Sequence, residues 1–175
     1  VCDHPRNVPD DLLTRLAAAD GVCMVTFVPR FVSPAARDWD LRVQDLAEAA
    51  GIPASDLHAY DDFSQQYAEA DPAPLATLAD VVAHVEHVRE VAGIDHIGLG
   101  GDYDGVDRLP EGLRDVTGYP SLLAALAERG WSSADLTKLT GRNILRVLDA
   151  ADEVARSLDG TPPGRARLTD ALLSL

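Results

Sequence analysis

Ile94-Asp95-His96-Ile97-Gly98-Leu99-Gly100-Gly101-Asp102-Tyr103-Asp104-Gly105 is the stretch on which the reading of this chain turns. An apolar run, residues 94–99, ends in glycines and two carboxylates. Such a run reads as a strand covered on both faces, and in parallel α/β folds the working groups stand at the carboxyl ends of the strands. Glycines at that end let a ligand approach the backbone, so Asp102 is the first candidate for chemistry. A second run, Val22-Cys23-Met24-Val25-Thr26-Phe27-Val28, is continuously apolar and β-branched, and Pro29 ends it. Helices lie between the two runs, so the crossover rule makes the strands parallel. Two strands buried on both faces do not make a free-standing sheet. The expectation is therefore α/β, the C-terminal portion of a larger (β/α)8 TIM-type barrel.

The helices announce themselves by their ends. Pro9, Asp10 and Asp11 open one that Gly21 closes. Thr77 with Asp80 forms a capping-box pattern ahead of the stripe Leu78, Val81, Val82, Val85 and Val88, which stops at Gly93. A helix is expected over 120–129. Ser132 with Asp135 caps a short one ending near Leu139, and Gly141 separates it from a last helix over 142–158 with Ile144, Leu145, Val147, Leu148 and Val154 on its apolar face. Residues 33–74 turn polar and acidic, with helical stretches over 40–50 and 54–69 and no strand. The organisation expected is a barrel portion over 1–158, interrupted by a helical insertion at 33–74 and followed by a flexible tail at 159–175.

With 29 acids against 15 bases the formal charge is −14, which excludes nucleic acid or an anionic membrane as a natural partner. Cys2 and Cys23 do not make a disulfide framework, and a reducing compartment is the simpler reading. No apolar stretch approaches the ~20 residues of a membrane span. Only one of the bases is a lysine, Lys138, and alanine is abundant, which we read as the mark of a GC-rich genome; a bacterial cytoplasmic protein is expected. The chain opens on Val1 rather than Met, which leaves an upstream signal, anchor or domain open.

Several motif readings fail position by position. A calcium loop starting at Asp102 would need an oxygen ligand fifth, glycine sixth and glutamate twelfth, where Val106, Asp107 and Leu113 stand. A dinucleotide fingerprint fails because Tyr103 replaces its last glycine. Asp80, His84 and His87 share one helix flank at metal-chelating spacing, yet they border the valine stripe and read better as an interface edge. Arg6, between Pro5 and Asn7, could hold a carboxylate bidentately or simply cap its own loop. No glycine-flanked serine elbow occurs, and Cys23 sits in an apolar context, against nucleophilic catalysis.

In sequence order, Arg6-Asn7-Val8-Pro9-Asp10, the 22–28 strand, the run His84-Val85-Glu86-His87-Val88-Arg89-Glu90-Val91-Ala92-Gly93 and the 98–105 loop resemble the C-terminal part of the membrane (renal) dipeptidase family, in the amidohydrolase superfamily. Pro110-Glu111-Gly112-Leu113, Tyr119-Pro120 and Asn143-Ile144-Leu145-Arg146-Val147 extend the resemblance to about residues 1–150. It implies that the two strands are the seventh and eighth of the barrel, and that dipeptides are hydrolysed at a two-zinc centre. Asp102 would be the proton shuttle and Arg6 the clamp on the substrate's terminal carboxylate. The family's zinc ligands come from earlier strands, so no metal ligand is expected in this chain and the ligands should lie upstream of Val1. The chain alone is then expected to bind no zinc, to be inactive, and to need the N-terminal barrel half; its uncovered strand edge leaves homodimerisation open. A non-catalytic barrel-like binding or assembly module, or an amidohydrolase acting on another amide or a lactone, are the alternatives.

Overall fold

The computed structural model describes residues 1–53, 55–106 and 108–161. Helix α1 (Asp10–Ala18) leads to strand β1 (Cys23–Thr26) and directly to a four-residue helix, α2 (Pro29–Val32). Two longer helices, α3 (Pro34–Ala49) and α4 (Leu57–Ala70), occupy the stretch expected as a helical insertion. Helix α5 (Leu78–Ala92) then runs back to strand β2 (Ile97–Gly101). Helices α6 (Tyr119–Glu128), α7 (Ser133–Thr137) and α8 (Asn143–Ser157) complete the order. The expected tail falls outside the described residues from 162 onward, as does Asp107.

β1 and β2 pair in parallel, Cys23 opposite Ile97 and Val25 opposite Leu99, and a bulge then sets Thr26 opposite Gly101. The unopposed residue is Gly100. Helix α5 packs across the pair, burying Val81, Val82 and Val85 completely against Val25, Phe27 and Ile97. Leu113, Leu122, Leu126 and Trp131 close the same core from the α6 side. Burying a side chain such as Phe27 contributes about 1.5–3 kcal/mol, so this cluster dominates the stability of the unit. Both capping boxes form as expected, Thr77 with Asp80 and Ser132 with Asp135.

The ends of the strands away from the glycine loop are tied down by polar side chains. Asn143 donates its amide to the carbonyls of Ile94 (2.7 Å) and Ile97 (2.8 Å). Arg146 donates to the carbonyls of Asp20 and Asp95, and His96 Nδ1 bonds the Gly21 carbonyl at 2.9 Å.

The structure corrects four expectations. Residues Ile94–His96 form a 3-10 turn rather than the start of the strand, because Gly93 enters at φ 90° and His96 reaches across to Gly21. Gly141 does not separate helices: Lys138–Arg142 is a π-helical turn that carries α7 into α8 without a break. The apolar stripe of α8 is largely uncovered, with Leu145, Leu148 and Val154 more than half exposed, so the only buried residue of that helix is Asn143. Cys23 is only half-buried, and it is Cys2 that the fold encloses.

Candidate active site

The bulge at Gly100 prepares the turn that carries Asp102. Its N–H donates to the Gly100 carbonyl at 2.7 Å, closing a three-residue turn with Gly101 at its centre at φ 61°. That conformation suits glycine, and a Cβ at Gly101 would lie 2.9 Å from the Tyr119 hydroxyl. Asp102 itself stands at φ 67°, a left-handed conformation that a non-glycine residue adopts at some cost and that Asp tolerates better than most. Below the turn, Phe27, Tyr103 and Tyr119 form a ring of mutual edge contacts with centroids 5.8–5.9 Å apart. Burial raises the Tyr103 phenol to about 12, so it stays neutral. Gly105 lies so close to the Asp102 carboxylate that a side-chain carbon there would collide with Asp102 Oδ1. The carboxylate is exposed and accessible.

Arg6 comes to the same place by another route. Its loop is locked by Asn7, whose amide donates to the carbonyls of Cys2 (2.9 Å) and Phe31 (2.8 Å), fastening residues 2–7 onto α2. The Arg6 N–H donates to His4 Nδ1 at 3.1 Å. His4 is buried, with its ring 4.3 Å from that of Phe31, and burial together with Arg37, Arg30 and Arg6 lowers its pKa, so it remains a neutral acceptor. The Arg6 guanidinium rests 5.1 Å from the centroid of Phe31. It is exposed and enters no ion pair with a described residue.

Arg6 and Asp102 line one cavity of about 500 Å³, together with His4, Phe31, Thr26 and His84. A cation suited to a carboxylate and a carboxylate able to carry a proton thus face a common space at the carboxyl ends of two parallel strands. That His4, Asn7 and Phe31 hold Arg6 in place was not legible in the sequence. The contacts of His4 and Asn7 to Phe31 span more than twenty residues of chain, and nothing local to the sequence signals them.

The flank Asp80, His84, His87 is not assembled as a chelate. Asp80 Oδ2 accepts from the Thr77 backbone N–H (2.7 Å) and hydroxyl (2.8 Å), and His87 Nε2 pairs with Asp10 Oδ1 at 2.7 Å. His84 leaves Nε2 buried and unpartnered, and burial lowers its pKa to about 4. Among the described residues no group of three or more His, Cys, Asp or Glu side chains is placed to hold a metal ion. The donor set of this chain therefore does not fit the metal centre that the family resemblance implies.

The family model described as membrane dipeptidase, peptidase family M19, matches residues 1–161. An uncharacterised dipeptidase of Schizosaccharomyces pombe is 39% identical over 163 residues, covering 93% of this chain and 31% of the relative. A dipeptidase of Aspergillus oryzae is 37% identical over 93% of this chain and 30% of its own length. The chain thus spans about a third of the curated relatives it matches. Among solved structures, a probable dipeptidase of Pseudomonas aeruginosa superposes with a TM-score of 0.67 at 23% identity, over 83% of this chain and 40% of that one. A Rhodobacter sphaeroides metallopeptidase, solved with a phosphinate mimic of L-Ala-D-Ala, gives 0.57 at 23% identity, over 82% and 31%. At that identity the superpositions speak for the fold alone. The family match covers nearly the whole described chain, and on it this chain belongs to the membrane dipeptidase family, peptidase family M19.

Proposed function

We propose that the chain forms the seventh and eighth strand units of a (β/α)8 barrel and supplies the proton carrier and the carboxylate clamp of a dipeptide hydrolase. One observation carries the reading: Arg6 and Asp102, far apart in sequence, line a single cavity at the strand ends. Arg6 has a free guanidinium fork, which binds a planar carboxylate with two parallel hydrogen bonds. A substrate anchored by its terminal carboxylate presents the adjacent peptide bond at a fixed distance, which favours dipeptides over longer peptides. The Asp102 carboxylate takes a proton from water as the water oxygen bonds to the carbonyl carbon, then returns it to the amide nitrogen as the C–N bond breaks. The turn at Gly101 and the close approach of Gly105 hold that carboxylate in one place, as proton transfer requires.

When bound, the family's two zinc ions would polarise the carbonyl and activate the water, but the residues described here do not hold them. On this reading their ligands come from other strands of the barrel, and the 175-residue chain by itself is expected to bind no zinc. The test joins this chain to the upstream segment of a dipeptidase relative. Asp102→Asn should lower kcat by at least ~10² while leaving the far-ultraviolet circular dichroism unchanged, the loss expected for a general acid-base group. Arg6→Ala should chiefly raise KM for substrates with a free carboxylate. Unchanged turnover in Asp102→Asn, or stoichiometric zinc on the 175-residue chain by itself, would overturn the corresponding half of the reading.

A further inference from the structure

One hydrogen bond fixes the tautomer of a buried histidine beside Arg6. His4 is 8% exposed, and its Nδ1 accepts the Arg6 backbone N–H at 3.1 Å. A neutral imidazole that accepts at Nδ1 carries its proton on Nε2, so His4 presents an Nε2–H donor. The surroundings keep the ring neutral, since burial first, then Arg37 and Arg30, and finally Arg6 depress its pKa.

That donor is unspent. The His4 side chain makes no other hydrogen bond with a described residue, and Nε2 is not among the sealed and unpartnered side-chain atoms, which are Arg37 Nε, His84 Nε2 and Tyr103 Oη. The small exposure that His4 retains therefore includes Nε2. The space that His4 borders is the cavity of Arg6 and Asp102.

His4 and Arg6 are placed for a common ligand, with no element between them. The backbone of Arg6 meets one edge of the imidazole, and both side chains lie on Phe31, the His4 ring 4.3 Å and the Arg6 guanidinium 5.1 Å from its centroid. Arg30 stands 5.1 Å from the same ring. Asp40, the one carboxylate that acts on His4 in the opposite sense, is already taken by the Gln44 amide (2.9 Å), the Tyr60 hydroxyl (3.3 Å) and Arg37 (3.7 Å). The field at His4 is thus positive and favours an anion beside it. A guanidinium fork fills two of the about four acceptor sites of a carboxylate, and a neutral donor alongside fills a third without repelling the arginine.

We propose that the His4 Nε2–H donates to the same terminal carboxylate that Arg6 holds, so that two side chains of one loop read the free end of the substrate. The inference rests on the hydrolase reading. It is tested on the protein joined to its upstream segment, with Ala-Ala as substrate and the C-terminal amide of Ala-Ala as a competing ligand. His4→Asn keeps an acceptor where Nδ1 stands and removes the Nε2–H. It should raise KM for Ala-Ala about 10- to 100-fold, the loss of one hydrogen bond to a charged group, with kcat and the inhibition constant of the amide each within about threefold of the parent. In an Arg6→Ala background the same substitution should still raise KM by at least about threefold, because the donor acts on the substrate and not through the arginine. An unchanged KM, an equal loss for Ala-Ala and the amide, or no further rise in the Arg6→Ala background overturns the proposal while the hydrolase reading stands. The parent protein supplies a second readout, independent of how His4→Asn folds: in nitrogen NMR of the histidine side chains the His4 Nε2–H resonance should move when Ala-Ala binds, and an unmoved resonance overturns the proposal. If the parent cleaves no dipeptide, the hydrolase reading fails, and calorimetric binding of Ala-Ala to the parent and to His4→Asn decides His4 separately, equal affinity overturning it.

Discussion

The tip of β2 presents Asp102 to the cavity it shares with Arg6, whereas helices α3 and α4 border a separate cavity beyond α2, and the two regions are held by opposite means. At the tip, position is enforced from within the backbone. A bulge at Gly100, a left-handed turn at Gly101 and a glycine pressed against the carboxylate leave Asp102 little freedom. The insertion is held by side chains. No residue of α4 is buried, and the helix meets α3 mainly through Trp39, whose ring lies 6.1 Å from Tyr67 and whose Nε1–H donates to the Asp71 carbonyl at 2.9 Å, and through the Tyr60–Asp40 bond. Geometry set by backbone resists repacking, whereas geometry set by a few contacts can be lost as a unit. A group that must hold one position is served by the first, and a peripheral wall tolerates the second.

Breaking the insertion should give the largest effect. Trp39→Ala removes a side chain that is 2% exposed, at a cost of about 3–5 kcal/mol. We expect amide protection to vanish across α3 and α4 while α5 and β2 keep theirs, as read by hydrogen exchange. Uniform loss over all these elements would show that the two regions are one cooperative unit. At the tip, Gly105→Ala should do the reverse. Its backbone suits alanine, so stability should change by no more than about 0.5 kcal/mol, while the displaced Asp102 carboxylate lowers kcat by about 10- to 100-fold. Full activity in that variant would mean the carboxylate is not held as described.

The smallest expected effect is a pH slope. His84 is held neutral down to about 4 by burial, against an ordinary value of 6.5. The unfolded chain therefore takes up a proton that the folded chain refuses as pH falls from about 6.5 to about 4, so His84 should erode stability across that window and add nothing further below it. Urea midpoints measured from pH 7 to pH 4 should fall less steeply in His84→Gln than in the parent, and parallel lines would remove His84 from the account.

Helix starts were legible because the capping residues are local: Thr77 with Asp80 and Ser132 with Asp135 close where the spacing put them. The two strands were legible from β-branched runs, and Asp102 from the glycines around it. Arg6 was another matter. Its role came from family resemblance alone, and the ring of Phe31 on which it lies belongs to a helix that the residues after Pro29 did not announce. The 3-10 turn at Ile94–His96 was hidden for the same reason, since Ile-Asp-His carries no local marker of either geometry and a contact with Gly21 decides between them. Periodicity also marked the α8 stripe without showing whether anything covers it.

The π-helical turn at Lys138–Arg142 sets the rotational phase of everything after it. A π turn holds more chain than an α turn, so winding the same five residues as ordinary helix would change the phase of everything that follows. Helix α8 would then swing by about 100° around its axis. Asn143 would leave the carbonyls of Ile94 and Ile97, and Arg146 those of Asp20 and Asp95. Both strands would lose their anchor at the end opposite Asp102 with no side chain altered. A one-residue deletion inside the turn, which lets it wind as ordinary helix with α8 still in phase, should therefore harm these anchors less than a one-residue deletion early in α8 itself.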